Sequence, residues 1–115
     1  MCDKIELDDI LTDFISGIKD IFGEKLKDII LFGSYARGDY DDESDVDIAV
    51  LADIQREDER DYTDSVVALM VEIDRKHNYS ILLTPIILSY SFFIKWQDTI
   101  PFYNNVLNEG VRLFA

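Results

Sequence analysis

An apolar run that stops at a glycine, followed by an Asp-x-Asp that opens a second apolar run, constrains this chain more than any other feature. Asp28-Ile29-Ile30-Leu31-Phe32 reads as a short buried strand ending at Gly33-Ser34. The acidic loop Asp39 to Ser44 then leads to Val46–Leu51, a second strand of the same kind. Residues i and i+2 of a strand share a face, which sets the Asp45 and Asp47 carboxylates side by side, roughly 7 Å apart along the backbone. Val46, Ile48 and Val50 face the other way.

Two converging carboxylates repel unless water or a cation neutralises them. Magnesium suits such a pair, because it binds through one or two carboxylates and completes its shell with waters and substrate phosphates. The turn upstream supplies the complementary half. Gly33 has no side chain and lets the backbone approach a ligand closely, and Ser34 adds a hydroxyl. If Tyr35-Ala36-Arg37 opens a short helix, its free N–H groups offer an anion site, and Arg37 can fork onto a phosphate. A salt bridge from Arg37 to Asp39 or Asp41 explains that arginine equally well. Taken singly, Gly-Ser after a strand is an ordinary turn and Asp-x-Asp at a strand start is an ordinary solvated end.

In this order and spacing, Gly33-Ser34-Tyr35-Ala36-Arg37-Gly38 with Ser44-Asp45-Val46-Asp47 resembles the signature of the DNA polymerase β nucleotidyltransferase superfamily, in particular its minimal nucleotidyltransferases, the MNT proteins. The resemblance implies an α/β (α+β) fold, a small mixed β-sheet with helices packed on it, formed by one domain over residues 1–115. It implies that Gly33 and Ser34 contact nucleotide phosphates, with Arg37 a weaker addition, and that Asp45 and Asp47 ligate Mg2+ and carry catalysis. MNT proteins commonly act as antitoxins beside HEPN-domain toxins, some by adding AMP to a tyrosine of the toxin. The implied activity is therefore Mg-dependent transfer of AMP from ATP to a hydroxyl of a HEPN-type partner.

One departure bears on the chemistry. Active members of the superfamily usually supply a third carboxylate from a later strand, and the matching stretch here, Tyr79 to Ser89, contains no acid. Ser80 or Thr84 can hold a water there but carries no charge. Glu72 and Asp74 precede that strand and read as a solvated helix face. The alternative function is accordingly a catalytically weak or inactive nucleotide-binding module that neutralises or scaffolds its partner by complex formation.

Length and composition narrow the classes further. A chain of 115 residues, 48% hydrophobic, makes one globular domain that buries about two-thirds of its unfolded surface. No stretch has the 18 or so uninterrupted apolar residues of a membrane span, and the start lacks a signal peptide's regions, so a cytoplasmic location is expected. The lone Cys2 reads as an incidental thiol. A net charge of −13 argues against direct nucleic-acid binding, which draws on Lys and Arg. Twelve of the 24 acids lie between Asp39 and Asp64. They read either as a solubilising surface or as a field around the metal site that attracts magnesium and docks a basic partner.

The remaining elements follow from periodicity. Leu7, Ile10, Leu11, Phe14, Ile15 and Ile18 predict an amphipathic helix from about Glu6 to Phe22 with Gly23 as its stop. Strand one is expected at Lys27 to Phe32, and a second long helix at Asp58 to His77, where His77 serves as a cation at the helix end. Pro85 marks the third strand as an edge or a bulge. Ser89 or Ser91 caps a helix through Trp96, and a last helix over Phe102 to Asn108 ends at Gly110 with a left-handed stop. Tyr90, Phe92, Phe93, Trp96, Phe102 and Tyr103 form either the packing of these helices or a partner-binding face, compatible with a homo- or hetero-oligomer.

Overall fold

The computed structural model describes residues 4–33, 36, 38, 45–77 and 83–114. Helix α1 spans Lys4–Phe22, and its Leu11, Phe14, Ile18 and Phe22 recur every three or four residues and are buried as one apolar stripe. Gly23 ends the helix in the left-handed region, at φ +57°, and a short 3-10 turn feeds strand β1, Leu26–Phe32. Strand β2 spans Val46–Ala52, a 3-10 segment covers Arg56–Tyr62, and helix α2 spans Thr63–Lys76. Strand β3 (Leu83–Ser89), helix α3 (Tyr90–Trp96), helix α4 (Pro101–Glu109) and strand β4 (Val111–Phe114) complete the order.

Among the described residues the strands form one sheet in the order β3-β2-β1-β4. β1 pairs antiparallel with β2 and with β4, whereas β2 and β3 run parallel, which gives the expected mixed sheet. A parallel pair needs a crossover, and the 3-10 segment with α2 supplies it. Helices cover both faces. On one, α1 and α2 pack over Ile29, Leu31, Val46, Ile48 and Val50. On the other, α3 and α4 bring Phe93, Tyr103 and Val106 against Ile30, Ala49 and Leu51. Every β2 residue except Asp47 is therefore buried. No helix among the described residues is long and apolar enough to cross a membrane.

Several local readings change. The helix expected from Asp58 begins as α-helix at Thr63, because Arg56–Tyr62 winds as a 3-10 segment. That segment concentrates Glu57, Asp58, Glu59 and Asp61 and is tied sideways: Glu59 accepts the Ser89 N–H at 2.7 Å, and Arg56 lies 4.1 Å from the Phe92 ring centroid. Ser89 is the cap of α3, its hydroxyl accepting the Phe92 N–H at 3.4 Å. Gly110 is extended, at φ −76° and ψ 152°, not left-handed. Its lack of a side chain serves close approach instead, since a Cβ there would run into the Val106 carbonyl and the Ile30 side chain. Pro85 sits on β3, at the end of the strand order, where a missing N–H costs least.

β4 is fastened through Asp28, a buried acid of β1. Its Oδ1 accepts the Ile29 N–H at 2.9 Å, and its Oδ2 accepts from Arg112 Nε of β4 at 2.7 Å. Burial still holds the Asp28 carboxyl above the usual range, against the pull of Arg112.

Candidate active site

The site lies where β1 ends and β2 begins. Phe32, Asp47 and Thr84 occupy one level of the sheet, because Asp47 pairs with Phe32 on β1 and with Thr84 on β3. Paired residues share a face. The neighbours of this row by alternation, Ala49, Leu51 and Ile86, belong to the cluster beneath α3 and α4, so the Asp47 carboxylate lies on that side of the sheet. Asp45, two residues earlier, is exposed just before β2 and shares the parity. Asp47 thus lies near the head of β2, an inner strand of the sheet, with Asp45 one residue before the strand begins.

Gly33 is cut to fit Asp47. Its φ of +77° is left-handed, and a Cβ there would overlap Asp47 Oδ2 and stand 3.2 Å from Asp47 Cγ. Glycine therefore does two things: it turns the chain out of β1, and it leaves the space that the Asp47 carboxylate fills. Gly38, also left-handed at φ +84°, has open space around it. Ser34, Arg37 and the acidic loop from Asp39 to Ser44 lie outside the described residues, as do Cys2 and the stretch from Asn78 to Leu82 that includes Ser80.

The position beside Asp47 on β3 is held by Thr84, a neutral hydroxyl. Among the described residues no group of three or more His, Cys, Asp or Glu side chains is placed to hold a metal ion. Two carboxylates beside a side-chain-free turn still fit a hard divalent cation that takes its remaining oxygens from phosphate and water. Asp74 cannot supply a third ligand. α2 packs on the opposite face of the sheet, through Val66 and Ile73. There Asp74 Oδ1 is buried with no hydrogen-bond partner among the described residues, and burial pushes its carboxyl upward.

His77 belongs to that far side too. Its Nε2 lies 2.8 Å from Asp13 Oδ2 of α1, and Lys76 Nζ lies 3.1 Å from the same oxygen. These hydrogen bonds hold the Asp13 carboxyl below its usual range. The histidine that reads from sequence as a helix-end cation thus joins two helices. The acidic surface also divides. Asp53, Glu57, Asp61 and Asp64 are exposed beyond the far end of β2, on the order of 20 Å from Asp45 by strand rise, so they add little to the field at the carboxylate pair. A groove of about 870 Å³ between α2 and β3 has Val67, Met70, Val71, Pro85 and Ile87 on its apolar floor and lies away from the carboxylates. Arg56, Glu57, Glu59 and Arg60 flank that groove, but neither Gly33 nor the Asp45 and Asp47 carboxylates line it, so the head of β2 ranks first as a metal-nucleotide site.

The aromatic residues fall on the Asp47 face. Phe93 and Tyr103 are buried with ring centroids 5.0 Å apart, and Phe92 and Trp96 pack beside them. Phe102 meets Phe32 edge-to-face, centroids 5.6 Å apart at 81°, yet remains 40% exposed. Composition flags this cluster, but only the sheet register puts one of its rings next to the row that holds Asp47.

The nucleotidyltransferase domain model matches residues 13–100, a span that contains Gly33, Asp45, Asp47 and Thr84. The chain belongs to the nucleotidyltransferase domain family. The family generally uses a divalent metal. Two relatives from Methanocaldococcus jannaschii are classed as protein adenylyltransferases. One is 36% identical over 107 residues, covering 90% of this chain and 94% of the relative; the other is 37% identical over 109 residues, covering 95% and 100%. A crystal structure of a toxin-antitoxin with AMP-PNP shares the fold with a TM-score of 0.55, 24% identity and coverage of 90% of this chain and 72% of that one. A nucleotidyltransferase from Sulfolobus solfataricus gives a TM-score of 0.51 at 22% identity, covering 91% and 86%.

Proposed function

We propose that this nucleotidyltransferase moves AMP from ATP onto a hydroxyl, a tyrosine side chain, of a HEPN-type protein partner and thereby acts as its antitoxin. The observation that carries the reading is the fit of Gly33 to Asp47 beside Asp45, a side-chain-free turn against a carboxylate pair. Its full-length relatives classed as protein adenylyltransferases support the acceptor class, and the toxin-antitoxin neighbour supports the setting. Asp45 and Asp47 would hold Mg2+, which supplies charge neutralisation at the α-phosphate and the leaving pyrophosphate. Gly33, Ser34 and Arg37 would position the outer phosphates. In the transfer the acceptor oxygen bonds to the α-phosphorus, the α–β anhydride bond breaks, pyrophosphate leaves and the hydroxyl proton passes to water.

Thr84 favours a second reading, a binding module that holds nucleotide and partner with little or no turnover, because the position beside Asp47 lacks the charge to activate a hydroxyl. Incubation with magnesium, ATP and a HEPN-type partner, followed by intact-mass measurement of the partner, separates the two. Increments of one or more AMP units establish the transferase. A stable, unmodified complex establishes the binding module.

A further inference from the structure

We propose that Phe102, backed by Phe32, is the platform on which the base of a bound nucleotide stacks. The inference rests on the reading of Gly33, Asp45 and Asp47 as the phosphate and metal end of that site. Phe32 immediately precedes Gly33 and pairs with Asp47, so its ring stands on the carboxylate face of the sheet, one residue from the phosphate turn. Phe102 leans edge-on against it from α4. Tyr103, buried in the core, stands 6.2 Å from the Phe102 ring centroid at 56°. Two aromatic neighbours thus fix the Phe102 ring, and it still leaves 40% of its surface to solvent. It is the one aromatic side chain among the exposed large hydrophobics of the described residues.

A ring held in place gains contact with a ligand at little further cost in side-chain entropy. Charge points the same way. With 24 acids against 11 Lys and Arg, the chain has few cations to spend on a polyanionic ligand. A π-face contributes affinity that does not depend on charge, and every base can use it. Phosphates at the glycine turn and a base on Phe102 would place the α-phosphate between them, near the carboxylate pair where it reacts.

The test is calorimetry of Mg-ATP and of Mg-tripolyphosphate, which has the phosphates but no base, on the intact chain and on Phe102→Ala and Phe102→Trp. Stacking predicts that the unaltered chain binds ATP more tightly than tripolyphosphate. Phe102→Ala should then weaken ATP about 10-fold, within the range of base–aromatic stacking, and leave tripolyphosphate unchanged. Phe102→Trp should keep ATP affinity. Unchanged ATP affinity in Phe102→Ala overturns the proposal, as does an equal loss of both ligands or a loss in Phe102→Trp as large as in Phe102→Ala. If Phe102→Ala instead weakens only the complex with a protein partner, the ring is an interface residue and the proposal fails. Should the unaltered chain bind neither ligand, the phosphate-and-metal reading itself falls and takes this one with it. Thermal midpoints of both variants show whether the fold is kept.

Discussion

Substituting Gly33 by alanine tests the site through backbone geometry, and Gly23→Ala is its internal control. Both glycines are left-handed, Gly23 at φ +57° and Gly33 at +77°. A β-carbon costs about 1–2 kcal/mol in that region, offset in part by the smaller entropy of the unfolded alanine chain, about 0.4–1 kcal/mol. At Gly23 nothing lies within 4 Å of the new Cβ, so that difference, about 1 kcal/mol or less, should be the whole loss. At Gly33 the Cβ lands on the Asp47 carboxylate. Pushing Asp47 about 30° off its rotamer adds roughly 0.5–1.5 kcal/mol, for a total near 2 kcal/mol. Denaturant midpoints read the stability difference, and calorimetry with Mg-ATP reads the function. Gly33→Ala should be the less stable variant and should lose nucleotide binding, while Gly23→Ala binds normally. Equal midpoints with intact Mg-ATP affinity in Gly33→Ala would refute the claim that this glycine exists to seat Asp47.

Exchanging Asp45 and Asp47 together for asparagine should abolish Mg-dependent ATP binding with the fold retained, checked by calorimetry and far-UV circular dichroism. Thr84→Asp should restore a third carboxylate beside Asp47; tighter magnesium binding, at some cost in metal-free stability from like-charge repulsion, is expected in a titration with and without the ion. Arg112→Ala should cost about 1–3 kcal/mol at pH 7, because it leaves the Asp28 carboxylate buried without its charged partner. That loss should shrink on acidification. The folded-state pKa of Asp28 already lies above its unfolded value and rises further without Arg112, so its protonated form favours folding at low pH and the penalty grows as pH rises through the raised pKa. A penalty independent of pH in urea titrations would exclude Asp28 as its source. Gly110→Ala should destabilise despite its ordinary φ, because the new Cβ runs into the Val106 carbonyl and the Ile30 side chain, whereas a neutral thermal midpoint would show that these neighbours of Gly110 yield freely.

Local chemistry made much of this protein legible. Two short apolar runs announced β1 and β2, and the glycine after β1 and the Asp-x-Asp at the start of β2 marked the head of the sheet. A cap at Ser89 or Ser91 and an edge or bulge at Pro85 were readable, because each depends on one backbone group nearby; the structure selects Ser89 and an end strand. Readings that depended on partners distant in sequence fared differently. Gly110 was expected to be left-handed, yet it is extended, and its constraint comes from Ile30, which no neighbouring residue reveals. His77 stands at the end of α2 as expected, but its partner, Asp13 of another helix, was not readable. Asp58–Tyr62, expected within the long helix, belongs to a 3-10 segment whose Glu59 reaches Ser89 and whose Arg56 reaches Phe92.

By itself the sequence determined that Asp45 and Asp47 share a strand face and follow a glycine turn, since a period of two is a property of the backbone. It also determined that Tyr79 to Ser89 brings no acid. Only tertiary structure decided which face the carboxylates occupy and what shares it. The parallel pairing of β2 with β3 sets Thr84 beside Asp47, the packing of α2 on the far side removes Asp74, and α4 delivers Phe102 to Phe32. The physical reason is that register and layer are fixed by burial of the whole sheet between two sets of helices, a cooperative choice that no short stretch of residues encodes.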